Sequence, residues 1–201
     1  MALVTNIVTG SAAQRLLLLL HGYGADEVDL GGVLPYLDPG GMFAAVMPRA
    51  PLDAPGTPGY MWYDFMGGGD IGPAFDAALI ELDALVDEQC EKLGFDRASA
   101  VFGGFSQGAG LALALALSGE EHVCPAATLA MSPAVPVLAV GDGARDVPVL
   151  VQHGRDDPLI PVQRSRDLAR ELRAHEIPTV YREYRMEHQV TLDSLRDARE
   201  W

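Results

Sequence analysis

The sequence lacks the features that mark a secreted or membrane protein. Two cysteines among 201 residues, Cys90 and Cys124, are too few for a disulfide framework, which favours a reducing compartment. No apolar run approaches the roughly 20 residues that span a bilayer, so stable membrane insertion is not expected. The first residues carry neither the basic region nor the cleavage site of a signal peptide. We therefore expect a cytoplasmic protein.

Positive charge is also scarce. The chain has 14 lysines and arginines against 28 aspartates and glutamates, a formal net charge of −14, which argues against nucleic acid and anionic membranes as partners. No Cys/His cluster has the spacing of metal ligands, and Gly103-Gly104 lacks the lysine of a phosphate-binding loop. Neither a metal nor another cofactor is expected, and the sequence carries no signal for an oligomeric state.

The composition and the periodicity predict one α/β domain over residues 1–201. With 49% hydrophobic and 21% charged residues, the chain can bury roughly 70% of its unfolded surface. Short apolar runs alternate with helical patterns, which predicts a mostly parallel sheet with helices on both faces and no large cap domain. Strands are predicted at Leu3–Val8, Arg15–Leu20, Phe43–Met47, Ala98–Phe102, Ala126–Met131, Val147–Gln152 and Thr179–Tyr184. Helices are predicted around Val28–Leu37, from Asp70 or Pro73 to Gly94, after Ser106, around Val162–Leu172 and around Leu192–Ala198.

The stretch 98–118 carries the strongest chemical signal. A short apolar strand meets a Leu/Ala-rich helix at Gly104, Ser106 and Gly108, in the spacing G-x-S-x-G. A strand that turns straight into a helix strains the corner residue, and the flanking glycines leave room for that corner. This context indicates a nucleophilic serine, although a turn whose serine only caps the helix would give the same letters.

A serine nucleophile needs a base and a group that orients the base. Candidate acids Asp156 and Asp157 follow one predicted strand, and His188 follows the next. The order Ser, Asp, His, each after its own strand, is the order expected with a nucleophile elbow. His21 and His153 also follow predicted strands and stay open as alternative bases. His175 is expected on a helix and His122 in a loop.

Two further segments are candidates for substrate contact. Backbone N–H groups hold the negative oxygen in acyl transfer, and those of Gln107 and of Tyr23, in a Gly-rich turn, are the candidate donors. The segment Pro48–Gly69 is a long loop with four prolines and a cluster of aromatic residues around Trp62. Such a loop is often functional, but an ordered surface loop pinned by Trp62 fits equally well.

Five motifs resemble those of the phospholipase/carboxylesterase family of α/β-hydrolases, which includes acyl-protein thioesterases. They are Leu19-Leu20-His21-Gly22-Tyr23-Gly24-Ala25-Asp26, Pro48-Arg49-Ala50-Pro51, Trp62-Tyr63-Asp64, Gly103-Gly104-Phe105-Ser106-Gln107-Gly108-Ala109 and His153-Gly154-Arg155-Asp156-Asp157-Pro158-Leu159-Ile160-Pro161. The match runs from about residue 15 to His188.

The resemblance implies a triad of Ser106, Asp157 and His188. It also implies Tyr23 and Gln107 as oxyanion donors and Trp62 near the substrate. Many family members have Met-Gly-His before the base, whereas this chain has Met186-Glu187-His188, so the loop around the base is expected to differ. Ser106 argues against the related dienelactone hydrolases, whose nucleophile is a cysteine.

The sequence thus predicts a serine carboxylesterase that acts through an acyl-serine intermediate on a small-molecule or lipid ester. Thioesters and lysophospholipids are open as substrates. The alternative is a catalytically inactive binding protein with the same fold, which is disfavoured because every required chemical group is present.

Overall fold

The computed structural model describes residues 3–68, 70–118, 123–135 and 139–201. The strands are β1 Thr5–Thr9, β2 Arg15–Leu20, β3 Phe43–Pro48, β4 Leu52–Asp53, β5 Tyr60–Met61, β6 Val101–Phe105, β7 Ala127–Met131, β8 Val149–Gly154 and β9 Thr179–Tyr184. The α-helices are α1 Leu34–Leu37, α2 Gly72–Leu93, α3 Gln107–Leu117, α4 Val162–Ala174 and α5 Leu192–Glu200. Short 3-10 helices cover Asp29–Val33, Arg97–Ser99 and Asp142–Asp146.

Seven strands form one sheet in the order β1-β3-β2-β6-β7-β8-β9. The edge strand β1 is antiparallel to β3, and every other pair of neighbours is parallel. This confirms the predicted mostly parallel sheet. Because the carboxyl ends of parallel strands share one edge, the segments that follow β2, β6, β8 and β9 meet there.

Alternate side chains of β2 pack into two hydrophobic cores, one on each face of the sheet. Leu16, Leu18 and Leu20 pack in the core that contains the buried sides of α2, α3 and α4. Leu17 and Leu19 pack in the core that contains residues of α1 and α5. A strand covered on both faces reads as an unbroken apolar run, which is why β2 was predicted with its observed bounds.

Two predicted strands are shifted by one or two residues: Val147–Gln152 is observed at Val149–Gly154, and Leu3–Val8 at Thr5–Thr9. Three further departures are larger. The strand predicted at Ala98–Phe102 begins later, because Arg97–Ser99 forms a 3-10 turn whose Ala98 N–H donates to the Asp96 carboxylate at 2.9 Å. The predicted helix at Val28–Leu37 divides into a 3-10 turn and one α-helical turn. The segment predicted to be irregular contains the two-stranded ribbon β4–β5.

Two of the residues named from the sequence, Gly69 and His122, lie outside the described residues. Within the described ranges, no helix is long and apolar enough to cross a bilayer.

Candidate active site

Ser106 occupies the corner between β6 and α3, as the sequence predicts. Its backbone has φ 54° and ψ −115°, a left-handed conformation that costs a non-glycine residue about 1–3 kcal/mol. Backbone hydrogen bonds hold it there: the Ser106 N–H donates to the Met131 carbonyl at 2.9 Å, and its carbonyl accepts from Ala134 at 3.0 Å. The half-buried side chain borders a cavity. Ser106 therefore lies at the cavity rather than in the core.

The flanking glycines are required by close backbone packing. A Cβ on Gly104 would lie 2.5 Å from the carbonyl oxygen of Gly108, and one on Gly108 would overlap the carbonyl oxygen of Leu20. Both contacts are with backbone atoms, which cannot move away as a flexible side chain could. The pattern G-x-S-x-G thus reflects the close approach of β6, α3 and the end of β2.

His188 and Asp157 form a close polar pair at this edge of the sheet. His188 Nδ1 lies 2.6 Å from Asp157 Oδ2, which leaves Nε2 as the free ring nitrogen. The imidazole packs against Phe105, the residue before Ser106, with ring centroids 4.8 Å apart. His188 and Ser106 line the same cavity. An imidazole oriented in this way by a carboxylate can accept a proton from a hydroxyl group in the cavity.

The two neighbouring aspartates differ in environment. Asp156 is exposed, whereas the Asp157 side chain is buried. Asp157 Oδ1 accepts hydrogen bonds from the N–H groups of Leu159 and Ile160, both at 2.9 Å. Burial raises the pKa of the Asp157 carboxyl, but hydrogen bonds from Ile160, His188 and Leu159 outweigh it and hold the pKa below its ordinary value. Asp157 is therefore a fixed negative charge at neutral pH.

The alternative bases His21 and His153 are buried, and other groups occupy their ring nitrogens. His21 Nε2 accepts from the Ala50 N–H at 3.0 Å, and its Nδ1 lies 2.7 Å from the Gly22 carbonyl. Burial lowers the pKa of His21, so its ring stays neutral. His153 lies 2.7 Å from Ser165 Oγ and 2.9 Å from the Ile160 carbonyl. His175, predicted on α4, is the residue that follows the last residue of that helix, Ala174. Neither His21 nor His153 is among the described residues that line the cavity with Ser106.

The structure places Tyr23 and Gln107 beside Ser106, on the same cavity. In the described part of the chain, neither backbone N–H donates to a protein acceptor. Gly22 lets the Tyr23 turn approach closely, since a Cβ there would lie 3.3 Å from the Ser106 Cβ. Two backbone donors at the nucleophile corner can stabilise an oxygen that becomes negative.

Trp62, predicted near the substrate, does not line the cavity. Its side chain is 1% exposed and lies in the core, where the indole N–H donates to the His21 carbonyl at 2.9 Å. The prediction that Trp62 contacts the substrate was therefore wrong, because its apolar surface and its single donor are both satisfied in the core. Tyr63, Phe65 and Met66 of the same segment line the cavity instead.

We expect Trp62→Ala and Phe65→Ala to separate stability from selectivity. Trp62→Ala should lower the free energy of unfolding by about 3–5 kcal/mol, as truncation of a buried aromatic does. Phe65 is 53% exposed, so Phe65→Ala should change it by about 0.5 kcal/mol or less. Phe65→Ala should instead alter the ranking of kcat/KM across 4-nitrophenyl esters of increasing acyl length. An unaltered ranking would make this segment an ordered surface loop only.

Comparison with known proteins agrees with this geometry. The family model described as phospholipase/carboxylesterase matches residues 5–201. The chain belongs to the phospholipase/carboxylesterase family. A protein of Bacillus subtilis (strain 168) named as a hydrolase, MhqD, is 29% identical over 98% of this chain and 96% of its own length.

Solved structures similar to this family member include esterase PE8 and the Bacillus cereus carboxylesterase. Esterase PE8 has a TM-score of 0.83 at 27% identity, covering 100% of this chain and 97% of its own. The Bacillus cereus enzyme has a TM-score of 0.85 at 23% identity, covering 99% and 92%. The fold is the α/β-hydrolase fold, and the chain is a hydrolase of the esterase type.

Sequence reasoning missed the role of the Gln107 side chain in this phospholipase/carboxylesterase site. Its Oε1 accepts from the Trp62 N–H at 2.9 Å, and its Nε2 donates to the Tyr63 carbonyl at 2.8 Å. The residue after the nucleophile thus fixes the backbone of the segment that forms one wall of the cavity. The motif singled out Gln107 for its backbone N–H alone, and no spacing signal links it to residues so far away in the chain.

The cavity has a volume of about 620 Å³, within the range of small-molecule sites. Apolar and aromatic side chains supply most of its surface, among them Tyr63, Phe65, Met66, Ile71, Phe105, Ala134, Val135, Leu159, Ile160 and Pro161. Among the described residues, no group of three His, Cys, Asp or Glu side chains could hold a metal ion.

Proposed function

We propose that this chain is a single α/β-hydrolase domain that acts as a serine carboxylesterase. Ser106 is the nucleophile, His188 is the general base, and Asp157 orients the base. The N–H groups of Tyr23 and Gln107 bind the oxyanion. The observation that carries the proposal is the 2.6 Å contact of His188 Nδ1 with a buried carboxylate, beside a cavity that also exposes the strained Ser106.

The proposed reaction proceeds in two acyl transfers. His188 Nε2 accepts the Ser106 proton as Oγ attacks the ester carbonyl, and the imidazolium then protonates the departing alcohol. Water, deprotonated by the same nitrogen, attacks the acyl-serine, and the imidazolium returns the proton to Ser106 Oγ as the C–O bond to serine breaks and the acid leaves. In both steps the negative oxygen forms beside the N–H groups of Tyr23 and Gln107. Among the described residues, Ser106 Oγ makes no hydrogen bond to His188. Contacts of this kind often tighten only when substrate binds.

The mostly apolar cavity favours esters with an apolar acyl or alcohol group, and thioesters and lysophospholipids belong to the same proposal. The mechanism uses only side chains and backbone groups of this chain, so we propose no cofactor. A cytoplasmic location is part of the proposal, supported by two cysteines that are both free thiols.

An inactive binding protein of the same fold is the competing function. Incubation with a fluorophosphonate and with 4-nitrophenyl butyrate separates the two. A serine esterase becomes covalently labelled, releases nitrophenol, and loses turnover in proportion to labelling. A binding protein is not labelled and releases no nitrophenol, and that result would overturn the proposal.

The pH dependence of kcat/KM should show a single step on the acidic side. Turnover of a neutral ester is expected to fall about tenfold per pH unit below the step, because a protonated imidazole cannot accept the Ser106 proton. Asp157 should add no second step near neutrality, since its pKa lies below the ordinary carboxyl value. His188→Ala should remove the activity. Turnover that survives in this variant with the same profile would assign the base to His21 or His153.

A further inference from the structure

One positively charged side chain, that of Arg164, lines the cavity. Arg164 lies in the first turn of α4 and is the only Asp, Glu, Lys or Arg among the cavity-lining residues of the described chain. It follows Leu159, Ile160 and Pro161, which line the same cavity. The segment that comes after Asp157 thus ends in a positive charge at an otherwise mostly apolar binding site.

The ion pairs of the fold do not account for Arg164. The next arginine on α4, Arg166, donates to both carboxylate oxygens of Glu183 at 2.6 and 2.9 Å, and Arg170 pairs with Asp167. Across the described ranges, no such carboxylate partner is found for the exposed side chain of Arg164. The Arg164 guanidinium is therefore available to a ligand in the cavity that it lines.

The position of Arg164 in its helix also disfavours a role in stability. Backbone dipoles make the first turn of a helix positive, so a cation there destabilises the helix by about 0.3–1 kcal/mol. The same cation near the C-terminal end would stabilise it. α4 runs from Val162 to Ala174, which puts Arg164 at its third residue. The Arg164 guanidinium is thus stabilised neither by the helix dipole nor by a carboxylate of the described residues, yet it borders the proposed substrate cavity.

We propose that Arg164 is a specificity-determining residue that selects esters carrying a carboxylate or phosphate group. The inference rests on the proposed esterase function and names a substrate class for it. Guanidinium binds either anion through two parallel hydrogen bonds. The net charge of −14 repels anions at long range, so an anionic ester needs a local cation at the site. The ester carbonyl would lie at Ser106, with its apolar part against the cavity walls and its anion at Arg164.

Matched pairs of esters test this proposal. Mono-4-nitrophenyl adipate and 4-nitrophenyl hexanoate have acyl chains of equal length and differ in a terminal carboxylate on the acyl side. 4-Acetoxybenzoate and its methyl ester differ in a carboxylate on the alcohol side, and 4-acetoxyphenyl phosphate replaces that carboxylate by a phosphate. The quantity measured is the ratio of kcat/KM for each anionic ester to that for its neutral partner.

Arg164→Ala should lower this ratio by about tenfold for at least one pair, the size expected for a charged hydrogen bond at a partly screened site. Arg164→Lys should restore part of it, since a point charge replaces the fork. Arg15→Ala is the matched control: Arg15 is exposed, begins β2 at the opposite edge of the sheet and does not line the cavity. It changes the net charge equally and should leave the ratio unchanged.

The pair that responds identifies the side of the ester and the anion that Arg164 recognises. Equal ratios in the wild type, Arg164→Ala and Arg15→Ala, with normal turnover of neutral esters, would overturn this inference and leave the esterase function standing. Absence of turnover with every ester, together with absence of fluorophosphonate labelling, would overturn both.

Discussion

Ser106→Ala should remove all fluorophosphonate labelling and lower kcat on 4-nitrophenyl butyrate by about 10⁵–10⁶-fold, the size of loss seen when a triad serine is removed. The hydroxyl borders the cavity, so its loss deletes the nucleophile without opening a hole in the core. Residual turnover would come from the oxyanion donors and from substrate binding, which do not need the hydroxyl. Intact-mass measurement after labelling and initial rates measure the two effects.

The backbone strain at residue 106 supplies a second variant with a different expected stability. Alanine has the same difficulty at φ 54° as serine, so the free energy of unfolding should change by about 0.5 kcal/mol or less. Ser106→Gly should be equally inactive, because it also lacks the hydroxyl. It should be at least as stable as the wild type, because glycine adopts this conformation freely and the relief of about 1–3 kcal/mol of strain exceeds the cost of the added chain entropy. Chemical denaturation of both variants makes the comparison.

Ser132 provides the matched control for the nucleophile. It is fully buried, follows β7 and also has a positive φ, 47°, but it does not line the cavity. Ser132→Ala should therefore keep its covalent labelling. Labelling that persists in Ser106→Ala, or disappears in Ser132→Ala alone, would mean that the elbow serine is not the nucleophile.

The parts of the fold that the sequence predicts are those set by local or strictly periodic constraints. Arg15–Leu20 and Thr179–Tyr184 were predicted with their observed bounds, because a strand's apolar pattern depends on the faces of its own sheet. The long helix α2 ends at Gly94, whose φ of 71° is the left-handed cap that glycine favours. The structure places Ser106, Asp157 and His188 at one edge because each follows its own parallel strand. Their catalytic roles stay predictions.

The parts that sequence reasoning missed depend on contacts between distant segments. An aromatic residue in a Pro/Gly-rich loop can face either a ligand or the core, and the composition around Trp62 is the same in both cases. Two hydrogen bonds hold Trp62 in the core: its indole N–H donates to the His21 carbonyl, and its backbone N–H donates to the Gln107 side chain. Arg164 was missed for a similar reason: on the sequence it is one of several arginines on a polar helix, and only the fold brings it to the cavity.

The second large effect is expected for Asp157→Asn, which should lower kcat by about 10⁴-fold, as amidation of a triad aspartate does. Asp157 Oδ1 accepts two backbone N–H groups, so the amide oxygen must stay there and the new NH₂ group must face His188. An NH₂ group donates, so it turns His188 Nδ1 into an acceptor and moves the ring proton to Nε2. The imidazole then presents a proton to Ser106 where it should accept one.

Asp156→Asn is the matched control, because it removes the same charge one residue away. Asp156 is exposed, and its backbone N–H, which donates to the Met186 carbonyl at 3.2 Å, is unaffected by the substitution. We expect its kcat to fall about tenfold or less, through a disturbed loop only. Both variants should be measured on one neutral ester at the same pH, with circular dichroism to verify folding. A larger loss for Asp156→Asn than for Asp157→Asn would assign the acid to Asp156, against the 2.6 Å contact between Asp157 and His188.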